Sequence, residues 1–107
     1  MSFSTHVLDA VAGGPAEGVR LRLYRLEDGA YEQVASGRTD ADGRLKGWDL
    51  HEGRYRLEFA TGDYWKAKGV DTFYPEVTVT FTVDDAAAHY HVPLLASPFA
   101  FSTYRGS

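Results

Sequence analysis

Four histidines, His6, His51, His89 and His91, are the side chains of this chain that titrate near neutral pH, so any proton-transfer chemistry begins with them. Two of them share a strand-like run, His89-Tyr90-His91-Val92-Pro93-Leu94. Alternate strand residues face opposite sides, which sends both imidazoles one way while Tyr90, Val92 and Leu94 turn toward a core. His91 then lies on the outer face of a sheet. Three uses fit it there: an ordinary hydrogen-bonded strand residue, a metal ligand, or a proton carrier. A His-x-His pair can hold Zn²⁺, but a site needs three or four ligands, and His6 or a distant carboxylate would have to complete it. No metal site is expected on that basis.

The second element of potential chemistry is an arginine held at a turn. Arg38-Thr39-Asp40-Ala41-Asp42-Gly43 has the outline of a calcium loop, with Asp49 near the closing position, yet Arg38 occupies the first ligand place. The simpler reading is a tight turn at Asp42-Gly43 that launches a strand at Arg44. Taken alone, Arg44 reads as a solvated surface arginine.

Other chemistries are excluded or left without support. The chain has no cysteine, which removes disulfides, thiolate catalysis and cysteine metal clusters. No Gly-rich phosphate loop and no Gly-x-Ser-x-Gly elbow is present. Eleven Lys+Arg against fifteen Asp+Glu give a net charge of -4, the wrong sign for a phosphate-backbone binder, so nucleic acid is not an expected partner. Trp48 and Trp65 would suit a carbohydrate platform, but they fall where core packing also wants them.

These residues must be positioned by strands. Period-2 alternation is cleanest from Glu76 to Asp84 and recurs in Arg54 to Phe59 and Val19 to Leu23. Weaker strand candidates are Ser4 to Ala10, Gln33 to Thr39, Arg44 to Gly47, His89 to Leu95 and Ala100 to Arg105, bounded by Gly13-Gly14-Pro15, Glu27-Asp28-Gly29, Asp42-Gly43 and Ser97-Pro98. Thr61 to Gly69 offers a capping hydroxyl or carboxylate at its start, lysines late and a terminal Gly, which predicts one short helix. Eight short strands and a helix make an all-β sandwich. At 107 residues and 11.8 kDa the chain reads as a single domain, 1–107, that buries roughly 65% of its unfolded surface.

Ala86 to Tyr104 contains no Asp, Glu, Lys or Arg, yet Pro93, Pro98 and its hydroxyls rule out a membrane span. An uncharged outer face of this kind predicts burial against another subunit. Met1 leads into Ser-Phe-Ser-Thr-His without a basic, apolar leader, so a cytoplasmic protein is expected.

In order along the chain, Ser4-Thr5-His6-Val7-Leu8-Asp9, Asp42-Gly43-Arg44, His89-Tyr90-His91-Val92-Pro93-Leu94-Leu95 and the final Ser102-Thr103-Tyr104-Arg105-Gly106-Ser107 resemble the 5-hydroxyisourate hydrolases, the transthyretin-related enzymes of purine breakdown. Gly37-Arg38-Thr39-Asp40, Tyr64-Trp65 and Tyr74-Pro75-Glu76-Val77 extend the similarity over the whole chain, and the terminal Tyr-Arg-Gly-Ser is its most specific element. Tyr74 and Ala96 are conservative departures.

The resemblance implies a two-sheet, eight-strand transthyretin-like sandwich assembled as a dimer of dimers, with active sites in the channel between dimers. It places His6 and His91 on the family's catalytic histidines, Arg44 on its substrate-binding arginine, and Tyr104 and Ser107 in the functional terminal tetrapeptide. His51 and His89 have no counterpart role, and Arg105 is left without one. The implied reaction needs no cofactor: hydrolysis of 5-hydroxyisourate to 2-oxo-4-hydroxy-4-carboxy-5-ureidoimidazoline in urate degradation. Two other readings stay open at this point. One is a transthyretin-like carrier of a small aromatic ligand, whose channel would lack the histidine pair and the terminal tetrapeptide. The other is an immunoglobulin-like or carbohydrate-binding module, which would need an exposed aromatic platform.

Overall fold

Strand β1 (Phe3–Asp9) has every odd residue buried, Phe3, Thr5, Val7 and Asp9, and every even residue, Ser4, His6 and Leu8, on the opposite face. That strict alternation makes β1 the spine of one sheet. In the computed structural model, which describes residues 2–107, β1 pairs along one side with β2 (Gly14–Pro15) and, in antiparallel register, with β5 (Arg44–Trp48). Along its other side it runs parallel to β8 (Tyr90–His91) and β9 (Leu94–Ser97), and β10 (Ala100–Thr103) closes that edge.

The facing sheet is fully antiparallel, in the order β4 (Ala30–Arg38), β3 (Arg20–Glu27), β6 (Gly53–Phe59), β7 (Val77–Val83). A two-residue loop, Asp28-Gly29, joins β3 to β4, the hairpin connection that such a dipeptide favours. Between the sheets lie Phe3 and Val7 from β1, Leu21 and Leu23 from β3, Tyr55, Leu57 and Phe59 from β6, and Leu94 from β9, all essentially without solvent contact. Stacked rings bridge the layers: Phe3 sits 5.4 Å from Trp48 and 6.1 Å from Phe81, and Phe81 sits 5.8 Å from Tyr55.

Helix α1 (Thr61–Ala67) follows β6 and plugs one end of the sandwich with Trp65, which is 1% exposed. Beside it, the buried carboxylate of Asp9 accepts hydrogen bonds from Val11 N–H, Ala12 N–H and the Tyr64 hydroxyl, with Lys68 3.7 Å away. Burial acts against the charged form, but these donors and Lys68 outweigh it and hold Asp9 below its usual range. The Tyr64 hydroxyl is raised well above its ordinary value, by burial first and then by its hydrogen bond to Asp9 and the Asp9 charge.

The architecture is the expected all-β sandwich with one short helix, and three details differ. Ten strands appear among the described residues rather than eight. Gly14-Pro15, expected within a turn, forms a short bridge to Leu8 and Asp9. The run from His89 to Leu95 is split into β8 and β9 at Val92-Pro93, because Pro93 has no N–H to continue the ladder. The helix is also capped differently. Ala60 is the N-cap, and the buried Thr61 hydroxyl makes no hydrogen bond. The far end is closed by backbone bonds from Gly69 N–H to Lys66 O and Val70 N–H to Trp65 O. Both tryptophans take the core role, Trp65 buried and Trp48 stacked on Phe3. Among the described residues, no helix is long and apolar enough to cross a membrane.

Candidate active site

The outer face of β1 collects the candidate residues. His6 stands opposite Arg44 on β5, and two residues back Ser4 lies between Lys46 on β5 and His91 on β8. An acidic chain thus presents two cations, Arg44 and Lys46, beside His6 and His91 on neighbouring strands. Three of the five residues expected in the site, His6, Arg44 and His91, meet here.

The turn before β5 places Arg44. Asp40 Oδ1 accepts from Asp42 N–H at 2.9 Å and from Arg44 N–H at 3.0 Å, and Gly43 N–H donates to Asp40 O. The Arg44 N–H bond is the main reason the Asp40 carboxyl stays below its usual range. Gly43 adopts φ 74°, and a Cβ there would run into the Val7 carbonyl, so the turn accepts no other residue without strain. Gly43 O in turn accepts from Val7 N–H at 2.7 Å, which ties the turn to β1.

The same turn fixes the state of His6. Its Nε2 lies 2.9 Å from the Asp42 carbonyl oxygen. A carbonyl only accepts, so Nε2 carries the proton, and in the neutral ring Nδ1 is the bare nitrogen.

His91 is half-buried, with Nδ1 2.8 Å from Ser4 Oγ. Burial holds its imidazole below the ordinary value, and the charges of Arg44, His89 and His6 push the same way. The ring is therefore neutral at neutral pH. Its strand is pinned from the core side, where Tyr90 donates its hydroxyl proton to Asp84 Oδ1 and accepts from the N–H groups of Asp84 and Asp85.

The C-terminal tail folds onto the same strand. Gly106 N–H donates to His91 O at 2.9 Å, and a Cβ on Gly106 would collide with the His91 ring. The Arg105 guanidinium lies over the Tyr90 ring at 4.6 Å, a cation–π contact that gives Arg105 a place in holding the tail. Ser107 follows Gly106 at the exposed end. Tyr104, 57% exposed, borders with Phe81, Tyr90 and His91 a cavity of about 160 Å³. A larger open cleft of about 500 Å³ lies beside α1 and is lined by no histidine.

His51 stays apart, in the loop before β6, where its carbonyl accepts the Tyr55 hydroxyl. His89 does not: its Nε2 is 2.9 Å from the same Ser4 Oγ that His91 touches. Sequence reasoning missed Ser4 and the Asp42 carbonyl and set His89 aside. The available signal was the shared strand face of His89 and His91.

The fold is a two-sheet, transthyretin-type sandwich, and His6, Arg44 and His91 sit on three adjacent strands of one of its sheets. The chain belongs to the HIUase/Transthyretin family, whose model matches residues 3–106. It is 47% identical over 111 residues to the 5-hydroxyisourate hydrolase of Caulobacter vibrioides, covering 97% of this chain and 96% of that protein. In structure it is similar to Klebsiella pneumoniae 5-hydroxyisourate hydrolase, with TM-score 0.87, 37% identity and coverage of 99% and 93% of the two chains. Sea bream transthyretin, solved in complex with thyroxine, matches with TM-score 0.90 and 34% identity over 99% and 95%.

Proposed function

We propose that this chain hydrolyses 5-hydroxyisourate, with His6, Arg44, His91 and Ser107 as the reacting constellation and Tyr104 lining the substrate slot. The observation that carries the reading is the row itself: a neutral His91, a His6 with one ring nitrogen committed to the backbone, and Arg44 directly opposite His6. Opening an amide-like ring by water needs a base for the attacking water and positive charge where the oxyanion develops. The water oxygen bonds to the carbonyl carbon as an imidazole accepts its proton. Arg44 binds the substrate and stabilises the oxyanion. The carbon–nitrogen bond then breaks, the ring nitrogen takes a proton, and a carboxylate is left. The Gly106 bridge ties to His91 the tail that ends in Ser107, whose hydroxyl assists the water.

The chain works as a homotetramer, a dimer of dimers. Leu95, Phe99, Phe101 and Tyr104 are exposed along β9, β10 and the tail, a concentration of apolar side chains on an uncharged stretch that a subunit interface would cover.

The sea bream likeness keeps one rival in view, a carrier of an aromatic ligand on the same backbone. The histidine–arginine row favours catalysis over carriage. The deciding experiment follows the ultraviolet absorbance of freshly generated 5-hydroxyisourate with wild type, His91→Ala and a chain truncated before Tyr104. Accelerated decay by wild type alone supports the hydrolase and its site. No acceleration by folded wild type overturns the reading in favour of the carrier.

A further inference from the structure

Arg44 is not the only cation on its strand. In β5, Leu45 packs toward the core, so Arg44 and Lys46 share the outer face two residues apart. Their Cα partners across the ladder are His6 and Ser4, and Ser4 is in turn the Cα partner of His91 on β8. Neighbouring strands lie about 4.8 Å apart, which puts β5 and β8 roughly 10 Å from each other on either side of β1. The outer face is therefore a slot with Ser4 and His6 as its floor. One flank carries Arg44 and Lys46, and the other carries His91.

Neither cation of that flank is matched by the protein. The ion pairs among the described residues join Arg22 to Glu58, Arg25 to Glu27 and Lys68 to Asp9, and none includes Arg44 or Lys46. Asp40 stands close enough to feel both charges, but its Oδ1 already accepts from the N–H groups of Asp42 and Arg44. Fifteen acidic residues are available in this chain, yet none pairs with this flank. Both side chains are exposed, and two unmatched like charges along one wall attract an anion from solvent.

We propose that Lys46 is a second substrate-binding cation of the slot, which works beside Arg44 to select planar heterocycles that carry negative charge. An oxidised purine is of this class: a ring N–H between two carbonyls is acidic, and its anion spreads charge over the oxygens at the rim. The Cα atoms of Arg44 and Lys46 are roughly 7 Å apart along the strand, so both long side chains can converge on oxygens of one ring. A neutral ring of the same outline leaves Lys46 without an acceptor of matching charge. Arg44 keeps its place at the reacting carbonyl. Lys46 answers charge that the substrate carries before and throughout the reaction, so it acts on KM rather than on kcat. The identity of the substrate rests on the hydrolase reading, but the preference for an anionic ring does not.

The test compares wild type, Lys46→Met and Lys46→Arg in two assays. Steady-state kinetics use 5-hydroxyisourate. Calorimetric titrations use urate, which is anionic at neutral pH, and hypoxanthine, which is uncharged there. Lys46→Met is expected to raise KM on the order of tenfold with kcat within about twofold of wild type, the scale of one lost contact between charged groups. Lys46→Arg restores KM. Urate affinity falls by a similar factor in Lys46→Met while hypoxanthine affinity holds, and KM rises less steeply with ionic strength than in wild type. Unchanged KM and urate affinity in Lys46→Met, or equal losses for urate and hypoxanthine, overturn the proposal. A wild type that binds urate through Lys46 but leaves the decay of 5-hydroxyisourate unaccelerated overturns the hydrolase reading instead.

Discussion

His6 and Arg44 face each other across the β1–β5 ladder, and one backbone turn serves both. Asp42 gives its carbonyl to His6 Nε2, and Asp40 gives its carboxylate to Arg44 N–H. Four residues of sequence therefore set the protonation pattern of an imidazole and the position of a guanidinium at once. No side chain of the pair anchors the other.

Because backbone bonds hold Arg44 in place, its side chain is free to be exchanged without loss of the strand. Arg44→Glu is expected to leave the melting temperature within a few degrees of wild type, as exposed substitutions usually cost no more than about 0.5 kcal/mol. Turnover should fall by at least about 10²-fold, the scale of removing one oxyanion-stabilising group. A thermal melt beside kcat/KM on 5-hydroxyisourate checks both halves, and an Arg44→Glu protein with full kcat/KM removes the role assigned here.

Acid should act on rate and on stability through the histidines. His91 is depressed in the folded chain by burial first and by Arg44, His89 and His6 after that. Between its unfolded value of 6.5 and its lower folded value, the unfolded chain binds more protons than the folded one. Stability from this group is thus complete above the unfolded value and is lost as pH falls toward the folded one. kcat/KM should decline over the same acidic range as His91 takes up a proton and its neutral imidazole is lost. A flat pH–rate profile through that range excludes a histidine base.

The alternation of Arg54 to Phe59 and Glu76 to Asp84 made two strands of the antiparallel sheet readable, since one face of each is buried. Arg20 to Glu27 was readable only to Leu23, because from Tyr24 onward its side chains are half-buried or exposed at a bulged register. Helix capping by Thr61 failed because Thr61 is already the first helical residue, with Ala60 at the N-cap, and its hydroxyl is buried without a partner. In the site, alternation put His89 and His91 on one face, and the turn signal placed Arg44. Ser4 could not be found that way. Its part depends on the parallel register of β1 with β8, which is fixed by everything between residues 9 and 90 rather than by any local pattern.

Asp9 anchors the opposite end of β1, and its loss should be felt as stability rather than chemistry. Its folded pKa is depressed, so its contribution is present above the unfolded value of 3.8 and is lost as pH falls below it. Tyr64→Phe removes one donor to this buried carboxylate, a hydrogen bond to a charged group worth about 1.5–3 kcal/mol. The expected outcome is a lower urea midpoint with kcat unchanged. An unaltered midpoint means that Lys68 and the two backbone donors suffice.

The tail can be tested by one methyl group. Gly106 packs so closely on the His91 ring that a Cβ would overlap its Cδ2, and the ring has little freedom to yield because Ser4 holds Nδ1 at 2.8 Å. Gly106→Ala must therefore displace the tail, break the bond from Gly106 N–H to His91 O, or turn the imidazole. Each outcome moves Ser107 relative to His91, and a misplacement of about 1 Å can cost about 10²-fold in rate. The core is untouched, so the melting temperature should hold. Loss of kcat in a chain that melts normally assigns the tail to the reaction; full kcat in Gly106→Ala means that His91 works without it.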